Sequence, residues 1–364
     1  MIKSASIANC GSFCRKGKLY SNISANIKIK PMSQKFKIGV VGLGMVGDTI
    51  RRWFEEIQNY KRGKELFCYD TDAKKGYGDD YKKADIVFVS VPTPSNPDGS
   101  CNTSIVKSVV AEIPDGKTVV IKSTVEPGTA EELQKKYPKK YFIFNPEFLT
   151  ESQAWSDFID PDRQIVGHTE KSKSFTSEVA NLLPDAFFVS PGTKNKDCYG
   201  KVRINATEAE IGKYAANVFG YIKVVFGNIL ADLAHATTQK FKNEGIEAVV
   251  NYDNIKEMLG HDKRIGLSWL NVNHGNFCGA GGFCFPKDMN AFIHFTEKLI
   301  KTLKKTKKSD KGLAQSLEAG LRVLTSVHDY NVQLLKWQGL DLEEVSYHNN
   351  KLQKEPKKIR VLEI

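Results

Sequence analysis

The sequence predicts an α/β protein: a doubly wound, Rossmann-type parallel sheet followed by a helical domain built on one long central helix. Three observations carry this. A buried strand over residues 36–41 runs directly into Gly42-Leu43-Gly44-Met45-Val46-Gly47 and then into a helical stretch over 48–57. Short apolar runs of strand type follow at intervals up to residue 190, each ended by turn or polar residues. Beyond residue 200 the period becomes helical, and 207–238 reads as one helix without a break. The domain plan is a basic, disordered extension over 1–35, a dinucleotide-binding domain over 36–200, a helical domain over 201–340 and a short tail over 341–364. No internal repeat is visible.

Composition narrows the class. The chain has 364 residues, 41% of them apolar and 26% charged, enough for two domains with their own cores. No stretch approaches the roughly 18 uninterrupted apolar residues of a membrane helix, so no membrane partner is expected. The net charge of +11 suits anionic ligands such as nucleotides. Nucleic acid is not expected, because the lysines cluster at the two ends and in 301–311, with neither zinc-finger spacing nor an aromatic-basic strand motif. The seven cysteines are odd in number and scattered in spacing, which indicates neither a disulfide framework nor a metal site and fits a reducing, cytoplasmic setting. The first acidic residue is Asp48. The acid-free start, with its serines, has the composition of an organelle transit peptide, yet arginine is scarce. Met32, directly before the first strand, is an alternative start.

The glycine motif is the clearest local signal. In a strand–turn–helix setting the first glycine, Gly42, allows the tight turn. Gly44 lets the backbone approach a pyrophosphate, and Gly47 permits close helix packing. The helix N-terminus at Met45 and Val46 then offers unpaired N–H groups to the phosphates. A second strand over 66–69 ends in Asp70, about where this fold places an acid on the adenosine ribose. A carboxylate there favours NAD, because it repels the 2′-phosphate of NADP. Asp72 is the nearby alternative.

Strands over 84–91, 117–121 and 141–144 continue the sheet, with a helix over 130–136 between the last two. The segment from Asp72 to Ala84 is too short for the usual third unit. Ligands of open α/β sheets collect outside the carboxyl ends of the strands, and Thr93, Thr124 and Glu147 all lie at such ends. Further strands are expected over 164–167 and 186–190. On the long helix Lys213 and Asn217 are four apart and share a face. Helices over 289–303 and 313–337 follow, joined by the basic run 301–311.

The most unusual string is Gly279-Ala280-Gly281-Gly282-Phe283-Cys284-Phe285-Pro286-Lys287-Asp288. Adjacent glycines open the backbone before Cys284, and Pro286 stiffens it afterwards. Lys287 favours the thiolate, the nucleophilic form of cysteine. Asp288 is near enough to place a water or move a proton.

Gly-Gly-x-Cys-x-Pro-Lys-Asp resembles the catalytic-cysteine loop of the nucleotide-sugar dehydrogenases, the UDP-glucose 6-dehydrogenase family. The resemblance extends over roughly residues 36–335. It takes in Val91-Pro92-Thr93-Pro94, Asp98-Gly99-Ser100, Lys122-Ser123-Thr124-Val125, Asn145-Pro146-Glu147-Phe148-Leu149, Ala-Glu-x-x-Lys213-Tyr-x-x-Asn217 and Arg264-Ile265-Gly266. It implies NAD as cofactor and a two-step oxidation of a sugar C6 alcohol to a carboxylate through a cysteine thiohemiacetal and thioester. UDP-glucose is the implied substrate, with GDP-mannose and UDP-N-acetyl sugars as alternatives; a catalytically impaired NAD-binding protein is the reading from another class. By resemblance Cys284, Lys213, Asn217, Asp288, Thr124 and Glu147 form the catalytic set. Thr93 and Thr124 border the cofactor. Glu147, Phe148, Leu149, Lys213, Asn217, Gly281 and Arg264 meet the substrate, Arg264 across a homodimer formed on the central helix. Ala280 stands where an aromatic residue is usual, and Cys278 is an added thiol. The stretch after Trp337 is too short for the family's second Rossmann-like domain, so the expectation is that it is absent or supplied by a separate chain.

Overall fold

The computed structural model describes residues 35–190, 203–274, 277–306 and 311–346. Most of the extension over 1–35, the boundary at 200/201, the end of the basic linker and the tail beyond 346 lie outside the described residues.

Five parallel strands make the frame: β1 (Ile38–Val41), β2 (Leu66–Tyr69), β3 (Ile86–Val89), β4 (Thr118–Ile121) and β5 (Tyr141–Phe144). With β7 (Gly167–His168) antiparallel at one edge, the order is β2-β1-β3-β4-β5-β7. The reversal of direction between β1 and β3 is the switch point at which this architecture binds ligands. Every residue of β1, β3 and β4 is buried, as expected of strands covered on both faces. Alternate side chains feed two cores: Val87, Val89, Val119 and Ile121 on one face, Ile86, Phe88, Val120 and Ile143 on the other.

The strand expected over 164–167 divides. β6 (Arg163–Ile165) pairs with β8 (Phe188–Ser190) in a sheet of its own, while β7 joins the main sheet. α1 (Met45–Arg52) begins earlier than expected, directly behind Gly44, and continues as a π turn over Trp53–Ile57. Between β2 and β3 there are only the short 3-10 turns Ala73–Lys75 and Tyr81–Lys83, in line with the missing third unit. Four helices that the sequence reading did not place are present: α2 (Ser104–Glu112), α4 (Ala154–Ile159), α5 (Thr176–Leu182) and α7 (Tyr252–Gly260). In α2 the run Ile-Val-Lys-Ser-Val-Val is β-branched and hides its helical period from composition. α3 (Thr129–Lys136) matches the expected helix.

The central helix, α6 (Ala206–Asn243), is 38 residues long. Its start is fixed by a capping box, the Asn205 side chain accepting from the Glu208 N–H while Glu208 accepts from the Asn205 N–H. By length and composition alone α6 could cross a membrane. Against that, half of its apolar window is buried in the protein, and Glu210, Lys213 and Asn228 are buried along it. α8 (Phe285–Lys305) and α9 (Lys311–Trp337) pack on it, with Tyr221, Val224, Val225 and Met289 in the shared core. The stretch read as a tail opens with α10 (Leu342–Ser346), whose Val345 is buried against Leu335 and Leu340.

Candidate active site

The glycine loop leaves β1 at Gly42, where φ is +87° and a Cβ would stand 2.7 Å from the Ser90 carbonyl oxygen. Only glycine fits that turn. A Cβ on Gly47 would run into the Gly42 carbonyl, so the helix sits hard against the turn. Gly44, the residue before α1, is different: a Cβ there would meet nothing. Open space therefore lies before the N–H groups of the first turn at Met45 and Val46, the shape that a pyrophosphate needs.

Asp70 is tied into this loop. Its Oδ2 accepts the Leu43 N–H at 2.7 Å and Lys75 Nζ at 2.9 Å, and its Oδ1 accepts the Asp72 N–H at 2.9 Å. Burial pushes its carboxyl up, but these donors prevail and hold it below the usual range. The acid thus stands as an anion just beyond β2, with Lys75 beside it. These features fit a dinucleotide. At the other end Thr93 is buried, and Cys101 Sγ reaches the Thr124 carbonyl at 3.5 Å, closing the loop after β3 onto the loop after β4.

The second half of the site is built where α6 meets α8. Cys284 is the residue before α8 and is exposed. Asp288, one turn on, is only 1% exposed. Its Oδ2 accepts from Asn217 Nδ2 on α6 at 2.6 Å, and its Oδ1 accepts from Lys287 Nζ at 2.6 Å. The atoms crowded round Cys284 push its thiol up and Asp288 adds to the effect, while Lys213 and Lys287 oppose it. Lys213 is buried on α6. Burial pulls its ammonium down, against the charges of Asp288, Cys284 and Glu147. For Lys287 burial acts in the same direction, but Asp288 prevails and holds it up.

Glu147 enters from the end of β5. Lys122 Nζ lies 2.9 Å from its Oε2, with both side chains largely shielded from water. Lys122 also donates to Asn145 Oδ1 at 2.9 Å. Glu147 Oε1 accepts the Phe148 N–H, while Oε2 has no aligned hydrogen-bond donor. Arg163 Cζ lies 3.8 Å and Lys213 Nζ 5.3 Å from the centre of the Phe148 ring. Leu149 packs into the core on one face of the sheet.

The structure thus draws Cys284, Asp288, Asn217, Lys213 and Glu147 into one electrostatic cluster. Two expected substrate residues stand apart from it. Arg264 is 89% exposed and held by Asp262 at 2.6 Å. Gly281 is constrained by packing, since a Cβ there would lie 2.6 Å from the Phe277 ring and 3.0 Å from the Val345 carbonyl oxygen. Sequence reading assigned no role to Lys122, Glu210, Asn331 or Gln338. Lys122 stood inside a quoted motif, but nothing in one sequence shows that its cation is buried.

Two family models match the sequence: "UDP-glucose/GDP-mannose dehydrogenase family, NAD binding domain" over residues 72–183, and the central domain of the same family over 207–311. The first match begins after the glycine loop. The UDP-glucose 6-dehydrogenase of Pseudomonas aeruginosa is 33% identical over 229 residues, 59% of this chain and 45% of that protein. The UDP-glucose 6-dehydrogenase of Rickettsia typhi is 33% identical over 247 residues, 65% of this chain and 51% of that protein. The chain therefore spans about half the length of these curated relatives. Among solved structures, a UDP-glucose dehydrogenase from Pyrobaculum islandicum superposes with a TM-score of 0.60 at 27% identity, over 84% of this chain and 72% of that one. A UDP-D-ManNAc dehydrogenase from Pyrococcus horikoshii, at 18% identity and a TM-score of 0.54 over 83% and 69% of the two chains, shares the fold.

Proposed function

The chain belongs to the UDP-glucose/GDP-mannose dehydrogenase family, and on that premise we propose that it oxidises UDP-glucose to UDP-glucuronate. The observation that carries this reading is the Cys284–Asp288–Asn217 arrangement: a solvent-reachable thiol one helical turn before a buried carboxylate that a second helix holds in place. The choice of UDP-glucose over other nucleotide sugars rests on the relatives named above.

The glycine loop, the first turn of α1, Asp70 and Thr93 would hold NAD. Bound NAD supplies the hydride acceptor for each of the two oxidations. The remaining work falls to side chains. As the sugar C6 alcohol becomes an aldehyde, its hydroxyl proton passes to water positioned by Thr124 and Asp288. Cys284 sulfur then bonds to the aldehyde carbon, and the carbonyl oxygen becomes an oxyanion that takes a proton, giving a thiohemiacetal. Lys213 and Asn217 stabilise that oxyanion. After the second oxidation the carbon is a thioester. Water adds to it, the carbon–sulfur bond breaks, and Cys284 leaves as the thiol, taking one of the water's protons, while the sugar leaves as carboxylate. Glu147, ion-paired with Lys122 through Oε2, accepts the water's other proton. Covalent capture keeps the aldehyde in the site between the two oxidations.

The same reading includes a homodimer. Phe219, Phe226 and Leu233 are exposed on α6 at intervals of seven residues and form one apolar stripe. Arg264, exposed and outside its own cluster, is then available to the partner's substrate.

Incubating the protein with NAD and UDP-glucose, GDP-mannose or a UDP-N-acetyl sugar tests the reading. UDP-glucose should give two NADH per sugar, and Cys284→Ser should lose the second oxidation. Absence of NADH with every sugar overturns the reading.

A further inference from the structure

The segment from Cys278 to Cys284 joins a two-residue strand, β10 (Phe277–Cys278), to α8 without regular structure of its own. Its first half, Cys278 to Ala280, is buried, and backbone polar groups there need partners. Here α9 supplies them through side chains. Asn331 Oδ1 accepts the Ala280 N–H at 2.7 Å, and Asn331 Nδ2 donates to the Ala280 carbonyl at 2.9 Å. Gln338, just past the end of α9, repeats the pattern on Cys278, accepting its N–H at 2.8 Å and donating to its carbonyl at 2.9 Å.

Two carboxamides thus satisfy both backbone groups of Cys278 and of Ala280. Asn331 and Gln338 are seven residues apart, about two helical turns, and so share a face. Cys278 and Ala280 are two apart, on either side of a bend at Gly279. Between them Gly279 has φ +112°, and a Cβ there would press to 2.8 Å from Asn331 Oδ1. Asn331 is 0% exposed and Gln338 8%. α10 adds a third tie, the Val345 carbonyl accepting the Gly282 N–H at 2.8 Å. α9 is in turn fixed to the helix that carries Lys213 and Asn217, through the Tyr221 hydroxyl and His328 Nδ1 at 3.1 Å.

We propose that Asn331 and Gln338 are positioning residues for Cys284: their carboxamides clamp the loop that presents the thiol, and so set its place between Lys213, Lys287 and Asp288. The proposal rests on Cys284 being the nucleophile. Neither residue touches the reacting atoms. The expected effect is large because misplacing a reacting atom by about 1 Å costs on the order of a hundredfold in rate.

The test measures the rate of iodoacetamide alkylation of Cys284 against pH, read by mass spectrometry, beside kcat and the KM for NAD. The variants are Asn331→Leu, which removes both bonds at similar volume, and Gln338→Glu, which keeps the acceptor and loses the donor. In Asn331→Leu the alkylation–pH profile should move and kcat should fall about a hundredfold, with the KM for NAD unchanged because the glycine loop is remote from the clamp. Gln338→Glu should show the same changes to a smaller degree. An alkylation profile and kcat within twofold of wild type in a folded Asn331→Leu protein overturn the proposal. If Asn331→Leu does not fold, Gln338→Glu decides by the same criteria. Alkylation needs no substrate, so the clamp is tested even if the wild-type protein oxidises no nucleotide sugar.

Discussion

Lys122 Nζ lies 2.9 Å from Glu147 Oε2, with the lysine side chain 2% exposed and the glutamate 15%. Two ions this shielded depend on one another. Removing one partner of a buried pair commonly costs about 3–5 kcal/mol, because the other charge is left uncompensated. Lys122→Met should therefore lower the melting temperature markedly and reduce turnover, since Glu147 is no longer held. Lys122→Met combined with Glu147→Gln should recover much of the stability but none of the turnover. Thermal unfolding of the three proteins checks this; a double variant no more stable than Lys122→Met would mean that the pair is not coupled.

A second prediction concerns the thiol. Asp288 holds the Cys284 thiol up and also pairs with Lys287, whose cation would otherwise favour the thiolate. Asp288→Asn removes the first effect and releases the second. The thiol should ionise at lower pH, so alkylation at neutral pH should become faster while turnover falls. Slower alkylation in Asp288→Asn would show that placement, not charge, dominates at the sulfur. In wild type the label should go to Cys284 ahead of Cys68 and Cys278, which are buried.

The parts of the fold that were legible beforehand were those with local signals. The glycine loop declares itself because backbone geometry admits little else at Gly42 and Gly47. The strand runs are apolar on both faces, and α6 is long and without a break in its helical period. α2 was not legible, since its β-branched residues read equally as strand. The clustering of Cys284, Asp288, Lys213 and Asn217 was anticipated by resemblance, and their separation along the chain hides the contact that joins Asn217 to Asp288. Asn331 and Gln338 gave no signal, and Lys122 and Glu210 stood in quoted motifs without a sign of burial, because their roles come from partners far away in sequence. Asn331, for example, meets the Ala280 backbone, which has no side-chain pattern to announce it.

Asp70 accepts the Leu43 N–H, and the proposed function gives it a second task, repelling a 2′-phosphate. Asp70→Asn keeps the acceptor and removes the charge, and leaves Lys75 without its counter-ion. Binding of NAD should weaken several-fold and binding of NADP should improve. Titration of both cofactors by fluorescence checks the ratio; an unchanged preference for NAD would take cofactor choice away from Asp70.

The exposed stripe on α6 yields a test of assembly. Phe226 is 50% exposed at its middle, and a charge there should be harmless in a monomer but costly inside an apolar interface. Light scattering should show a dimer for wild type and a monomer for Phe226→Asp, with activity falling in parallel if Arg264 serves the neighbouring site. A wild-type monomer at micromolar concentration ends the dimer proposal.

The last prediction follows from Glu210, one turn before Lys213 and Tyr214 on α6. It is 0% exposed. Its Oε2 accepts the Gly128 N–H at 2.5 Å and its Oε1 the Ala130 N–H at 2.9 Å, so it caps the start of α3 from another element. Burial pushes its carboxyl up; the Ala130 and Gly128 N–H groups pull it down, Glu131 and Glu132 push it up again, and it settles at about 8, against an ordinary 4.5. A group raised on folding binds its proton more tightly in the folded state. Its contribution to stability is complete below the unfolded value and is lost as pH rises through the folded one. The window is therefore pH 4.5 to about 8. Glu210→Gln has no proton to lose, and its Nε2 cannot accept the second N–H, so it carries a fixed loss that does not vary with pH. The variant should melt below wild type near pH 5 and should gain on it by several degrees as pH rises to 8, with no further change above. Melting curves of the two proteins across that range that stay parallel would show that Glu210 folds with its ordinary proton affinity. The two N–H bonds would then serve a permanently ionised cap that ties α3, and the loop carrying Thr124, to the helix that carries Lys213.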